Sequence, residues 1–117
     1  MTERDPDCLF CGIVAGDIPA DLVHEDDEVI AFRDIAPRAP THVLVIPRRH
    51  IADAQALTDA DAPVLANLFA VVRKVADGAG LERGYRVVTN VGPESGQTVF
   101  HLHFHLLGGR PMAWPPG

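Results

Sequence analysis

Apolar positions in this chain fall into short runs broken by Pro, Gly and Asp, with one longer stretch at helical spacing. Leu22-Val23-His24-Glu25 and Glu28-Val29-Ile30-Ala31-Phe32-Arg33 predict two strands paired as a hairpin through the acidic turn Asp26-Asp27, and Pro37 and Pro40 end the second. Thr41-His42-Val43-Leu44-Val45-Ile46 is β-branched and almost wholly apolar, the pattern of a central strand buried on both faces, and Pro47 terminates it. Behind Thr58 and Asp61, an N-cap hydroxyl with an acid three residues on, Val64, Leu65, Leu68, Phe69, Val72, Val75 and Ala76 recur along one helix face until Gly78 and Gly80. Residues 85–90 resume as a strand, 92–97 read as a loop, and the last strand is predicted from about Val99 to Leu107, followed by an irregular tail at 108–117. A short helix over 8–15, closed by Gly16-Asp17-Ile18-Pro19, precedes them all. The fold class is therefore α+β, an antiparallel sheet of about five strands with one long helix on one face and a short N-terminal helix, in one domain over 1–117.

Composition narrows the function. A chain of 117 residues, 47% of them apolar, can bury one modest core. The amino end, Met1 to Asp7, lacks the charged-then-apolar pattern of a signal peptide, and no apolar run is long enough to span a bilayer; the expectation is a cytoplasmic protein with no membrane partner. A formal net charge of −6 argues against nucleic acid, whose binding rests on neutralising phosphates with Lys and Arg. A small anion would have to be held by local donors: backbone N–H groups, helix ends and imidazoles. Both cysteines, Cys8 and Cys11, lie close together with no distant partner, which favours metal or redox chemistry over a disulfide framework.

Half of the six histidines fall at His101, His103 and His105, alternating with Leu102, Phe104 and Leu106. On a strand the three imidazoles share one face and the apolar residues face the core. Ser, Thr or Lys would serve a solvated face as well, whereas imidazole is suited to be nucleophile or proton donor near neutral pH. Same-face neighbours stand about 6.6 Å apart, too far for all three to converge on one zinc. A phosphate is wider, and takes one His as attacking nitrogen and another as donor to the leaving group.

The run His101-Leu102-His103-Phe104-His105-Leu106-Leu107 resembles the histidine-triad family. Its surroundings resemble the HINT branch of purine nucleoside phosphoramidases, through Ile18-Pro19-Ala20, Ala31-Phe32-Arg33-Asp34-Ile35, Ala39-Pro40-Thr41-His42, Ile46-Pro47 and the tail from Gly108 to Gly117. The resemblance implies that His103 attacks the α-phosphate of a purine nucleotide conjugate to give a nucleotidyl-histidine that water hydrolyses. The role requires a neutral ring whose other N–H is tied to a carbonyl, for which a backbone carbonyl suffices. By the same carry-over His105 contacts the phosphate or leaving group, and His42 and His101 complete the cluster. Gly96, Gln97 and Thr98 meet the phosphate, Thr98 standing where the family often has Ser, with Asn90 nearby. Asp34 binds the ribose, and Phe10, Ile13, Phe32, Ile35 and Leu44 form the base pocket. The implied ligands are AMP or GMP and their conjugates.

Cys8-x-x-Cys11 departs from the metal-free HINT proteins. In other members of the wider family such a pair joins two histidines around one structural zinc; here these would be His50 and His101, so that His101 is both triad member and metal ligand. The resemblance also implies a two-fold homodimer in which Trp114 of the tail approaches the partner's site. Three rival readings stay open: a dinucleoside polyphosphate hydrolase or nucleotidyl transferase with the same nucleophile, a nucleotide-binding scaffold with incidental catalysis, and a structural zinc protein without a ligand.

Overall fold

A computed structural model describes residues 5–117; residues 1–4, part of the amino-terminal stretch read for a signal sequence, lie outside the described residues. The architecture is the expected α+β. Strands β1 (Leu22–Glu25), β2 (Val29–Arg33), β3 (Thr41–Pro47), β4 (Tyr85–Val88) and β5 (Phe104–Gly108) form one antiparallel sheet in the order β1-β2-β3-β5-β4. Helix α1 (Leu9–Ala15) and helix α2 (Ala62–Gly78) cover its two faces.

Strand periodicity explains the two layers. Val29, Ala31, Val43, Val45, Leu102, Phe104 and Leu106 point one way and pack with Val64, Leu68, Val71, Val72 and Ala76 of α2. Ile30, Phe32, Leu44 and Ile46 point the other way and pack with Phe10 of α1. Strand β3 is thus buried on both faces, as its apolar run predicts. In α2 the phase differs slightly from the expected one: Val71 is fully buried, while Phe69 is half exposed at the rim against the Phe104 ring.

Helix ends follow local chemistry. A 3-10 turn over Asp59–Asp61 precedes α2, and the Asp61 carboxylate accepts the Thr58 N–H at 2.9 Å while pairing with Arg49. Helix α1 is capped by the Cys8 sulfur, which accepts the Cys11 N–H at 3.3 Å, and is closed by Gly16 at φ 82°, a left-handed conformation that favours glycine.

The one substantial departure lies in the last strand. It begins at Phe104, not near Val99, so His101 and His103 precede the ladder. The register would set Leu102 opposite Pro47, which has no N–H to give. Leu102 instead donates its N–H to the Ile51 carbonyl at 2.6 Å. Strand β4 likewise stops at Val88, two residues short of the expected end.

Candidate active site and metal centre

Four imidazoles gather on the α1 side of the sheet, and their backbone partners fix which nitrogen of each ring carries the proton. Nδ1 of His103 lies 2.7 Å from the His101 carbonyl. A carbonyl only accepts, so Nδ1 is the protonated nitrogen and Nε2 keeps a lone pair. Nδ1 of His42 accepts the Arg38 N–H at 3.0 Å, leaving its Nε2–H to donate to Nδ1 of His105 at 2.9 Å. His105 must then carry its own proton on Nε2.

The outcome is an unprotonated Nε2 on His103 next to a protonated Nε2 on His105, with ring centroids 5.0 Å apart. One is equipped to attack and the other to donate, which is the division of labour that phosphoryl chemistry asks of two histidines. Burial holds the rings neutral. It pushes His103 and His42 below the ordinary imidazole value, and burial followed by the neighbouring His103 and His42 takes His105 down to about 4.

His101 is separate in role. Its Nε2–H donates to the Pro47 carbonyl at 2.8 Å, and its Nδ1 faces Cys8 Sγ at 3.4 Å and Cys11 Sγ at 3.5 Å. Both nitrogens are committed, which leaves His103 and His105 as the two of the three alternating imidazoles with a ring nitrogen free to meet a ligand, in line with the metal-ligand role expected of His101. Nδ1 of His50 stands 3.3 Å from Cys11 Sγ, and the four donor atoms of Cys8, Cys11, His50 and His101 all lie within 4.8 Å of one another. Around a tetrahedral zinc with bonds of about 2.3 Å to sulfur and about 2.0 Å to nitrogen, unlike ligands stand about 3.5 Å apart, so the donor set fits such an ion. The Pro47–Ile51 segment is held by Arg48, bonded to the Asp26 carbonyl at 2.6 Å, and by the Arg49 pair with Asp61.

The remaining expected residues divide into those that face the imidazoles and those that support them. Phe10, Phe32 and Leu44 are buried together with Ile13 packed against them, whereas Ile35 is fully exposed. The Phe10 ring meets His103 edge-on at 5.1 Å between centroids. Asp34 lies beside His42, its Oδ2 3.5 Å from Nε2, and its Oδ1 accepts the Ala36 N–H. Gln97 is buried and spent on the loop: its Nε2 donates to the Ala52 and Val99 carbonyls and its Oε1 accepts the Gly92 N–H. The Gly96 N–H is likewise taken by the Pro93 carbonyl. Thr98, next along, is exposed, and Asn90 is half-buried beyond the end of β4. Trp114 is exposed, its only ring partner among the described residues being Arg86, whose guanidinium carbon lies 6.0 Å from its centroid.

A cavity of about 500 Å³ reaches Asp34 and His42 beside Val23, Lys74 and Val75. Neither His103 nor His105 lines it. Sequence reading missed the Pro47 carbonyl and the Arg38 N–H, which help set the protonation pattern, and Thr89, whose hydroxyl donates to the His103 main-chain carbonyl at 2.8 Å.

An α+β sheet carrying a buried row of histidines beside a Cys/Cys/His/His cluster defines the class. The HIT domain family matches residues 15–112, and the chain belongs to that family. An uncharacterised HIT-like protein of Synechococcus elongatus is 52% identical over 111 residues, covering 95% of this chain and 97% of the relative. A 14 kDa zinc-binding protein of Zea mays is 47% identical over 118 residues, with 97% and 90% covered. Among solved structures, a HIT family hydrolase from Legionella pneumophila superposes with a TM-score of 0.93 at 54% identity, over 95% of this chain and all of that one.

Proposed function

We propose that the protein is a nucleotide hydrolase that cleaves purine nucleoside 5′-phosphoramidates through a covalent nucleotidyl-histidine. The observation that carries this is the protonation pattern: a free Nε2 on His103 and an Nε2–H on His105, side by side. In the first step Nε2 of His103 attacks the α-phosphorus and the P–N bond breaks. Nε2–H of His105 gives its proton to the departing amine, and the negative charge this leaves on the hydrogen-bonded His42–His105 pair is offset by the positive charge that His103 takes on with Nε2 bonded to phosphorus and Nδ1 still protonated. In the second step water attacks the same phosphorus, His105 recovers a proton from it, and the nucleoside monophosphate leaves His103 neutral. Proton donation of this kind contributes about 10²–10⁴-fold. Asp34 is assigned to the ribose hydroxyls; Phe10, Ile13, Phe32, Ile35 and Leu44 to the base; Asn90 and the loop at Gly96, Gln97 and Thr98 to the phosphate side.

Cys8, Cys11, His50 and His101 are assigned to one zinc ion, which the donor set fits and which the name of the maize relative also suggests. Bound there, zinc supplies a cross-link between α1, the Pro47–Ile51 segment and the histidine segment, and stabilises a small core. A second copy of the chain is the assigned partner. Strand β4 lies at the sheet edge, and Tyr85 on it and Trp114 beside its Arg86 leave apolar surface open. No helix among the described residues is long and apolar enough to cross a membrane, and the cytoplasm is the assigned location.

The deciding experiment is hydrolysis of a panel of adenosine and guanosine phosphoramidates with a dinucleoside polyphosphate alongside. Faster turnover of the phosphoramidates supports the reading. Preference for the dinucleoside polyphosphate transfers the same nucleophile to the rival activity, and no turnover of any of them leaves a binding module.

A further inference from the structure

Between Gln97 and His103 the chain that carries the proposed nucleophile lies outside the sheet, so something other than the strand ladder must aim it. The bond that matters most there is the one from Nδ1–H of His103 to the His101 carbonyl at 2.7 Å, because it leaves Nε2 free to attack. The direction of that carbonyl follows the pose of His101. Its ring is anchored at both ends, by the Pro47 carbonyl on Nε2 and by the two thiols facing Nδ1. Cys8 and Cys11 also bracket Phe10, whose edge lies against the His103 ring and restricts its rotation. Helix α1, which carries Phe10, has only seven residues and cannot hold its place by helix propensity alone.

We infer that Cys8, Cys11 and His50 are positioning residues for the nucleophile: by fixing the His101 ring and the first turn of α1 on a shared metal ion, they select the Nδ1–H tautomer of His103. This rests on the proposed function for its kinetic consequence, but not for its structural one. Without the anchored carbonyl nothing favours Nδ1 over Nε2 as the protonated nitrogen, and a ring protonated on Nε2 has no lone pair there with which to attack. The metal centre and the reactive imidazole are then linked through one residue, His101, whose side chain serves the first and whose backbone serves the second.

The test uses His50→Gln, because His50 sits on a separate segment and contacts no reactive atom, and Cys8→Ser, which keeps an oxygen able to cap α1. Both are compared with zinc-loaded wild type, with metal content measured and at a temperature where circular dichroism shows each protein folded. Long-range proton–nitrogen correlation spectra of the His103 ring give the primary readout. Wild type should show Nδ1 protonated and Nε2 bare, and the variants a mixture of tautomers. In parallel, kcat on a phosphoramidate should fall about tenfold or more, as expected for a misaligned nucleophile, with KM changing by less than about threefold. A His103 tautomer unchanged in the metal-depleted, folded variants overturns the inference, as does a kcat within twofold of wild type. Should His50→Gln fail to fold, Cys8→Ser supplies the comparison. Should wild type hydrolyse no phosphoramidate, the functional reading fails while the spectra still decide this one.

Discussion

Nε2 of His42 lies 2.9 Å from Nδ1 of His105, so a single proton, donated by His42, orders two imidazoles of the site. The arrangement works only while both rings are neutral, since a protonated His42 could no longer accept the Arg38 N–H and a protonated His105 could not accept from His42. Burial, then the neighbouring His103 and His42 imidazoles, takes His105 from 6.5 to about 4. We expect the acid limb of kcat/KM to lie below the ordinary imidazole value of 6.5, because burial lowers His42, His103 and His105 alike. Stability follows the same sign. The unfolded chain takes up its proton near 6.5 while the folded chain resists to about 4, so this contribution is complete above 6.5 and is lost as pH falls toward 4. Urea midpoints at pH 7 and pH 5 check it; an acid limb of activity centred near 6.5 would contradict it.

Thr89 holds the His103 carbonyl with its hydroxyl at 2.8 Å, outside the ladder of β5. Thr89→Val keeps the shape and removes the donor. It should cost about 1 kcal/mol of stability and lower kcat a few-fold with KM little changed. Steady-state kinetics beside denaturant unfolding read both, and a variant equal to wild type in both would show that the bond is idle.

Gln97 is a loop fastener in this structure, satisfying Gly92, Ala52 and Val99 at once. Gln97→Ala should therefore cost about 1 kcal/mol or somewhat more by leaving part-buried backbone groups unpaired, and weaken substrate binding through the loosened Thr98 segment. If Gln97 instead acted directly on the phosphate, kcat/KM would fall while the urea midpoint stayed put.

The tail is tied to β4 by the Arg86 guanidinium, which donates to the Ala113 carbonyl at 2.9 Å, yet Trp114 remains exposed. A ring of that size left in water favours a partner surface. We expect a dimer mass by sedimentation equilibrium at micromolar concentration. Removing residues 109–117 should change leaving-group preference more than the rate of attack on phosphorus. A monomer mass, or an unchanged substrate panel after truncation, would count against this role.

Much of the fold was legible because its elements announce themselves locally. The β3 run, the hairpin at Asp26-Asp27 and the periodic face of α2 each carry a strong pattern, and each stands within a few residues of its expected bounds. The last strand was overextended for a physical reason: His-x-His-x-His has the alternation of a strand, but Pro47 cannot pair with Leu102, and His101 is drawn to the thiols. Phe69 looked like core because its spacing fits a helix face, yet the helix turns Val71 inward instead. In the site, His103 and His105 could be read from the sequence itself, whereas His50 entered only through family resemblance. The partners that fix the ring protons are main-chain groups of Arg38, Pro47 and His101, and no residue type encodes a carbonyl's direction.

The central claim is that His103 becomes covalently bound to the nucleotide. Rapid mixing of the wild-type protein with an adenosine phosphoramidate, acid quench within the first turnover and intact-protein mass measurement test it most directly. The account predicts a transient species heavier by one adenylyl group, mapped by fragmentation to His103, and neither adduct nor turnover for His103→Ala. Turnover by His103→Ala at the wild-type rate, with no adduct on either protein, would contradict it.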